Sequence, residues 1–288
     1  MLKVFSRIPG IFAPPIYVVL GADRIVACQS RPIWRRGSGK LTPIADYPLT
    51  KNGDDAPAWP ASQLENALQA ISCKNRSVHL VLSDGWVRLF LVTPPLNARS
   101  LQDCRAAAAM RFQALYGESA DHWQLEADWD AYSPFLACAM PKTQLAALHA
   151  TVRAAHAHLL SITPHFIVAW NHWRKRLQRN AWFGIAQNNR FTLVAIKNRH
   201  IVAIRSTDVA SSSVSVEWLN AYVQREALRM NLTAPALVQI SGMSRDLPSG
   251  DANTGIRFAS LHRKADGVHG QNASDAMQLL LSTLGQSK

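Results

Sequence analysis

The sequence predicts an α/β protein of two lobes with related topology, residues 1–180 and 181–288. Two observations carry this. The order of three strands, a helix, a strand and a helix occurs twice along the chain, and elements this regular pack as layers around their own cores. The first copy is also longer, because a small inserted subdomain of about residues 77–140 lies within it. The composition agrees: 48% of the 288 residues are hydrophobic and 17% are charged. A disordered chain would need low hydrophobicity and dominant charge.

Each element has a local cause. Residues 16–20 and 24–30 are apolar runs around Gly21-Ala22-Asp23, which reads as a hairpin, and a third strand falls within 41–49. The stretch 51–60, KNGDDAPAWP, is loop chemistry, and 61–71 reads as a short helix. Residues 77–83 and 86–92 flank Asp84-Gly85, a pair that tolerates positive φ and so predicts a tight hairpin. Ser100 caps a helix to Tyr116 that Gly117 stops, with Leu101, Cys104, Ala108, Met110, Phe112 and Leu115 as its apolar stripe. Residues 123–129 alternate tryptophan or aliphatic side chains with Gln124, Glu126 and Asp128, the period of a half-buried strand. Strand 135–140, helix 142–158, strand 159–163 and a helix from Pro164 to about residue 178 complete the first lobe. Strands 181–186, 191–196 and 200–205, a helix at 216–230, strands 236–241 and 256–259 and a helix at 273–284 form the second.

The charge balance, 31 Lys and Arg against 19 Asp and Glu, gives a formal charge of +12 and favours an anionic neighbour: nucleic acid, lipid headgroups or an acidic protein. Four cysteines stand far apart with no CxxC pair, which fits a reducing compartment better than a disulfide framework. No apolar run has the roughly 20 uninterrupted residues of a membrane helix, and prolines break the amino-terminal apolar stretch, so no signal peptide is read there. The expected location is cytoplasmic, and nothing in the sequence prevents contact with a membrane face. Arg174, Lys175, Arg176 and Arg179 follow Trp170 and Trp173; they read as a solvated helix end or, together with Lys3 and Arg7, as contacts to anionic lipid. Phosphate tracking would need basic residues interleaved with exposed aromatics, so nucleic acid is the weaker reading. His149, His156, His158, His165 and His172 crowd one region without a metal-ligand spacing, and no metal is expected. There is no P-loop, dinucleotide fingerprint or nucleophile elbow.

Three turns remain. Gly21 ends the first strand in IYVVLGADRIVAC, Gln187 ends its counterpart in AWFGIAQNNRFTLVAI, and the apolar strand Val238-Gln239-Ile240-Ser241 ends at Gly242. With the duplicated order of elements, these turns resemble the actin-like ATPase superfamily, a ribonuclease H-like two-lobed fold. The resemblance implies two phosphate-holding turns, each with an aspartate, a glycine and a small hydroxyl residue, and an adenosine-side strand ending in two glycines. Set on that pattern, the first turn keeps Gly21 but has Val19 at the aspartate. The second has Ile185 at the aspartate and Gln187 at the glycine, and the adenosine-side strand keeps one glycine, Gly242. Without both carboxylates a magnesium nucleotide loses its organising anions. No cofactor and no hydrolysis are therefore expected; an ATP-binding enzyme or switch is the opposing reading.

Within that superfamily, the basic arm before Pro9-Gly10, the run VHLVLSDGWVRLFLVTPP, the segment to Tyr116-Gly117 and SITPHFIVAWNHWRKRL are similar to degenerate actin-like assembly proteins of type IV pili and type II secretion, the PilM, MshI and GspL cytoplasmic-domain type. That resemblance implies a non-catalytic scaffold. Its partner would be a bitopic inner-membrane protein, whose short cytoplasmic tail lies in a first-lobe groove walled by the inserted subdomain.

Overall fold

A computed structural model of the chain describes residues 14–30, 41–49, 59–187, 189–209, 214–243 and 255–261. The amino-terminal arm with Lys3 and Arg7, the loop 51–58 and the helix expected at 273–284 lie outside the described residues.

The first five-stranded sheet has the order β3-β2-β1-β4-β8, formed by Leu41–Pro48, Arg24–Ser30, Ile16–Leu20, Ser77–Leu82 and His158–Pro164. Strands β1 and β2 pair antiparallel, whereas β4 runs parallel to both β1 and β8. The second sheet repeats this plan as β11-β10-β9-β12-β13: His200–Asp208, Arg190–Lys197, Trp182–Gln187, Leu237–Ser241 and Arg257–Ser260. The two sheets fall on either side of residue 180. A third sheet, β5-β7-β6, is built from Arg88–Val92, Phe135–Pro141 and Trp123–Ala127 and belongs to the inserted segment. Because β4 is a core strand of the first sheet, the inserted layer begins after Leu82 rather than at residue 77.

Strand alternation distributes the core. Ile16, Val18 and Leu20 face a cluster with helices α1 (Ala61–Ala70) and α3 (Lys142–Ala154). Val19, one step out of phase, faces the opposite side. There it joins Val26, Val81, residues of helix α4 (His165–Trp173) and the inner face of the second sheet, so one cluster spans both lobes. The outer face of the second sheet packs under helix α5 (Val216–Arg229). The inserted sheet is covered by helix α2 (Leu101–Tyr116).

Helix α2 begins and ends as its sequence dictates. Ser100 accepts from the Asp103 amide, Asp103 accepts from the Ser100 amide, and Gly117 takes φ 70° at the stop. Its buried face is Cys104, Ala107, Ala108 and Phe112, while Leu101 and Met110 of the expected stripe are exposed. The helix expected to reach residue 158 stops at Ala154, since His158 is taken into β8 beside Ser77. Helix α4 ends at Trp173, so the basic residues 174–179 occupy turns beyond it.

The hairpin expected at Asp84-Gly85 does not form. Both edges of β4 are occupied, by β1 and β8, and β5 pairs instead with β7 in another sheet. Residues Asp84–Trp86 make a single 3-10 turn that sends the chain from one sheet to the other, and Gly85 has no positive φ. Local turn chemistry was overridden by the better pairing available to a parallel central strand.

Candidate functional site

The two turns singled out by the sequence converge, but on an apolar floor. Val19 at the end of β1 and Ile185 near the end of β9 are both buried in the cluster that spans the lobes, among Val26, Phe166, Phe183 and Val194. They fill the positions where the resemblance would have a carboxylate. The turn's own carboxylate, Asp23, is exposed and lies 3.8 Å from the Arg24 guanidinium. Gly21 is buried in a closed turn, its amide donating to the Arg24 carbonyl at 2.9 Å.

The residues after β4 reach both of these turns. Trp86 donates its indole N–H to the Gly21 carbonyl at 3.2 Å, touching the first turn. Ser83 lies 3.5 Å from the Gln187 side-chain carbonyl and Arg190 donates to the Asp84 carbonyl at 3.4 Å, both reaching the second. Ser83, Asp84 and Trp86 between them thus contact both turns. Asp84 is buried, and its carboxylate accepts from the Phe166 amide at 2.9 Å, in the first turn of α4. Burial pushes its pKa up to about 7; the Phe166 amide and Arg190 pull the other way. Next to Phe166, His165 is buried with neither ring nitrogen hydrogen-bonded among the described residues, and burial brings its pKa down to about 4.

The adenosine-side strand is engaged as well. Ser241 accepts from the Trp173 indole at 3.0 Å, and Gln239 accepts from the Gln178 amide at 2.7 Å, so groups at and after the end of α4 hold β12. Gly242 sits at φ 86°, where an added Cβ would meet the Ala186 carbonyl oxygen at 2.0 Å. Its lack of a side chain is explained by this approach of β12 to β9, with no ligand needed. The residues present do not fit a magnesium nucleotide: the two positions expected to organise the ion are aliphatic and buried in one apolar cluster.

The basic group is not part of this site. Arg174, Lys175, Arg176 and Arg179 are all exposed, with the Arg176 guanidinium 5.7 Å from the Trp173 ring centroid. Of the crowded histidines, His165 and His172 are buried and His149 and His156 exposed; among the described residues no group of His, Cys, Asp or Glu could hold a metal ion. Sequence reasoning missed Ser83, Asp84, Trp86 and Arg190. Asp84-Gly85 was visible only as a turn, and nothing local to Arg190 signals its partner 106 positions away.

No protein-family model matches the chain, and no curated protein sequence matches it. Solved structures do. The cytoplasmic domain of EpsL, an inner membrane component of the type II secretion system of Vibrio cholerae, has a TM-score of 0.57 at 12% identity, covering 96% of each chain. The PilM-PilN type IV pilus biogenesis complex gives 0.62 at 12% identity, over 87% of this chain and 89% of that one. A Bacteroides thetaiotaomicron protein with an actin-like ATPase fold and unknown function gives 0.58 at 8% identity, over 94% and 96%. Identities this low speak for fold, and on that level the resemblance read from the sequence is borne out: the duplicated sheets, the converging turns and the inserted layer make up an actin-like ATPase fold, shared with components of type II secretion and type IV pilus machines.

Proposed function

We propose that the chain is a non-catalytic scaffold for type IV pilus or type II secretion assembly, working at the cytoplasmic face of the inner membrane and binding the short cytoplasmic tail of a membrane partner. The observation that supports this is the apolar character of the two turns: Val19 and Ile185 share one cluster, and residues of the segment 83–86 hydrogen-bond to both turns. Two structural neighbours support the setting, one an inner-membrane secretion component and the other a pilus protein in complex with a partner. Among the described residues no helix is long and apolar enough to cross a membrane. A bound partner is the recruiter in this reading, with basic residues adding about 1 kcal/mol each near an anionic surface.

Two measurements test it. Purified protein should release no phosphate from ATP and magnesium above a buffer blank, and should retain the tail peptide of a bitopic membrane protein encoded beside it. Substitutions in the inserted layer should weaken that capture, and Gly21 substitutions that leave the fold intact should not. ATP turnover that disappears on Gly21→Val would return the chain to the enzymes of this fold.

A further inference from the structure

A second concavity starts at Asp84, Gly85 and Arg190 and runs between the inserted layer and the second lobe. It is a cleft of about 730 Å³, walled by β5 and α2 on one side and β11 on the other. Among the described residues β5 pairs with β7 and β11 with β10, so each ends its sheet, and the two strands approach one another at the cleft. An edge strand offers alternate N–H and C=O groups to any extended chain laid beside it. Half-buried Leu89, Leu91 and Val202 give the cleft apolar ground between them.

Its charge has one sign. Arg88, Arg111, Arg190 and Arg205 line it, against the single carboxyl group of Asp84, which is buried. Two of these arginines are neutralised from outside the cleft: Arg88 by Glu118 at 2.8 Å and Arg190 by Asp208 at 2.9 Å. The other two are not. Arg205 lies 3.9 Å from Glu226, but that one carboxylate also serves Arg225 at 3.3 Å and Arg229 at 3.1 Å. Exposed Arg111 spends its Nε on the Leu91 carbonyl at 3.4 Å and has no ion pair among the described residues. Uncompensated guanidinium groups beside the end strands of two sheets match a chain that carries carboxylates in extended conformation.

We propose that this cleft docks an extended acidic segment of a partner protein, laid against the edge of β5 with its carboxylates facing Arg111 and Arg205. The five residues of β5 set the length of the contact, at about 3.4 Å per residue. Period 2 then sets its pattern: acidic side chains toward the arginines alternate with apolar ones toward Leu89, Leu91 and Val202. A nucleic-acid strand fits less well. It would need aromatic faces to stack on, and the rings beside Arg88, Tyr116 and Trp123, already hold its guanidinium at 4.5 and 4.3 Å. This inference does not rest on the scaffold reading, since it follows from edges and charges that an enzyme of the same fold could equally carry.

The test uses the full chain and an array of ten-residue peptides alternating Asp or Glu with Val, Leu or Phe. Matched arrays carry lysine for the acid or a central proline that removes an edge hydrogen bond. The acidic set should be retained, and the lysine and proline sets should not. The tightest peptide should protect amides of β5 or β11 from hydrogen exchange. Its affinity should fall at least tenfold in Arg111→Glu and Arg205→Glu and stay unchanged in Arg176→Glu. If a charge reversal lowers the melting temperature, Arg111→Gln and Arg205→Gln should still weaken binding severalfold. The proposal is overturned if no acidic peptide is retained above the lysine set. Affinity unmoved by both arginine changes would overturn it too, as would displacement of nothing but single-stranded DNA from the cleft.

Discussion

The seam between the lobes and the cleft beside the inserted layer are two concave positions of one fold, and they have been finished in opposite ways. The seam is filled from within: aliphatic side chains meet across it, and one turn of chain touches both of its walls. The cleft is left open, lined by arginine and bordered by the end strands of two sheets. Burial contributes to stability only where the surfaces fit, so the seam stabilises the chain, while the cleft leaves polar groups available. A fold therefore does not fix where its binding surface lies. Side chains decide which concavity is core and which is site.

Five substitutions would break or sharpen that contrast. The largest effect is expected at Gly242, where a side chain would meet a backbone carbonyl at a positive φ. Gly242→Val should cost about 4–5 kcal/mol in urea denaturation, the scale of combined strain and overpacking. Next is Val19→Asp, which restores the expected carboxylate to the first turn. In a cluster of aliphatic and aromatic side chains the charge has no partner, so the change should cost about 3–4 kcal/mol and produce no ATP turnover.

The third concerns pH. The Asp84 carboxyl has a pKa of about 7 in the folded chain against an ordinary 3.8, so its favourable contribution is complete below 3.8 and is lost as pH rises through 7. His165 is at about 4 against 6.5, so its penalty is full below 4 and vanishes by 6.5. In the native chain the two slopes oppose each other. Asp84→Asn leaves His165 alone, and stability should climb by roughly 2–3 kcal/mol from pH 4 to 6.5. His165→Gln leaves Asp84 alone, and stability should fall between pH 4 and 7. Parallel curves for all three proteins would show that neither group titrates with folding. The smallest effect belongs to the cleft side: Ser100→Ala removes half of the capping box of α2 and should cost about 1 kcal/mol.

Much of the fold was legible because its signals are local. The apolar run at 16–20, the strand at 191–196, the Ser100 cap and the Gly117 stop each act within a few residues, and the structure keeps them. Asp84-Gly85 was misread because its fate depends on which strand β4 pairs with, and that strand begins at His158. The candidate site divides in the same way. Val19 and Ile185 hold equivalent places in the two copies of the plan, so their apolar character could be read from sequence, whereas their meeting in one cluster could not. The arginines of the cleft lie at 88, 111, 190 and 205, with no common spacing. The run at 174–179 drew attention because its charges are contiguous, yet all of them point to solvent.

The segment 83–86 has a mechanical consequence as well. It belongs to the first lobe, carries the inserted layer at its far end, and grips the second lobe through Gln187 and Arg190. Rotating the lobes apart would separate Ser83 from Gln187 and Asp84 from Arg190 together, and would open the apolar cluster the lobes share. The joint is a rivet rather than a hinge, and a pull on the inserted layer is delivered to both sheets at once through a single turn of chain.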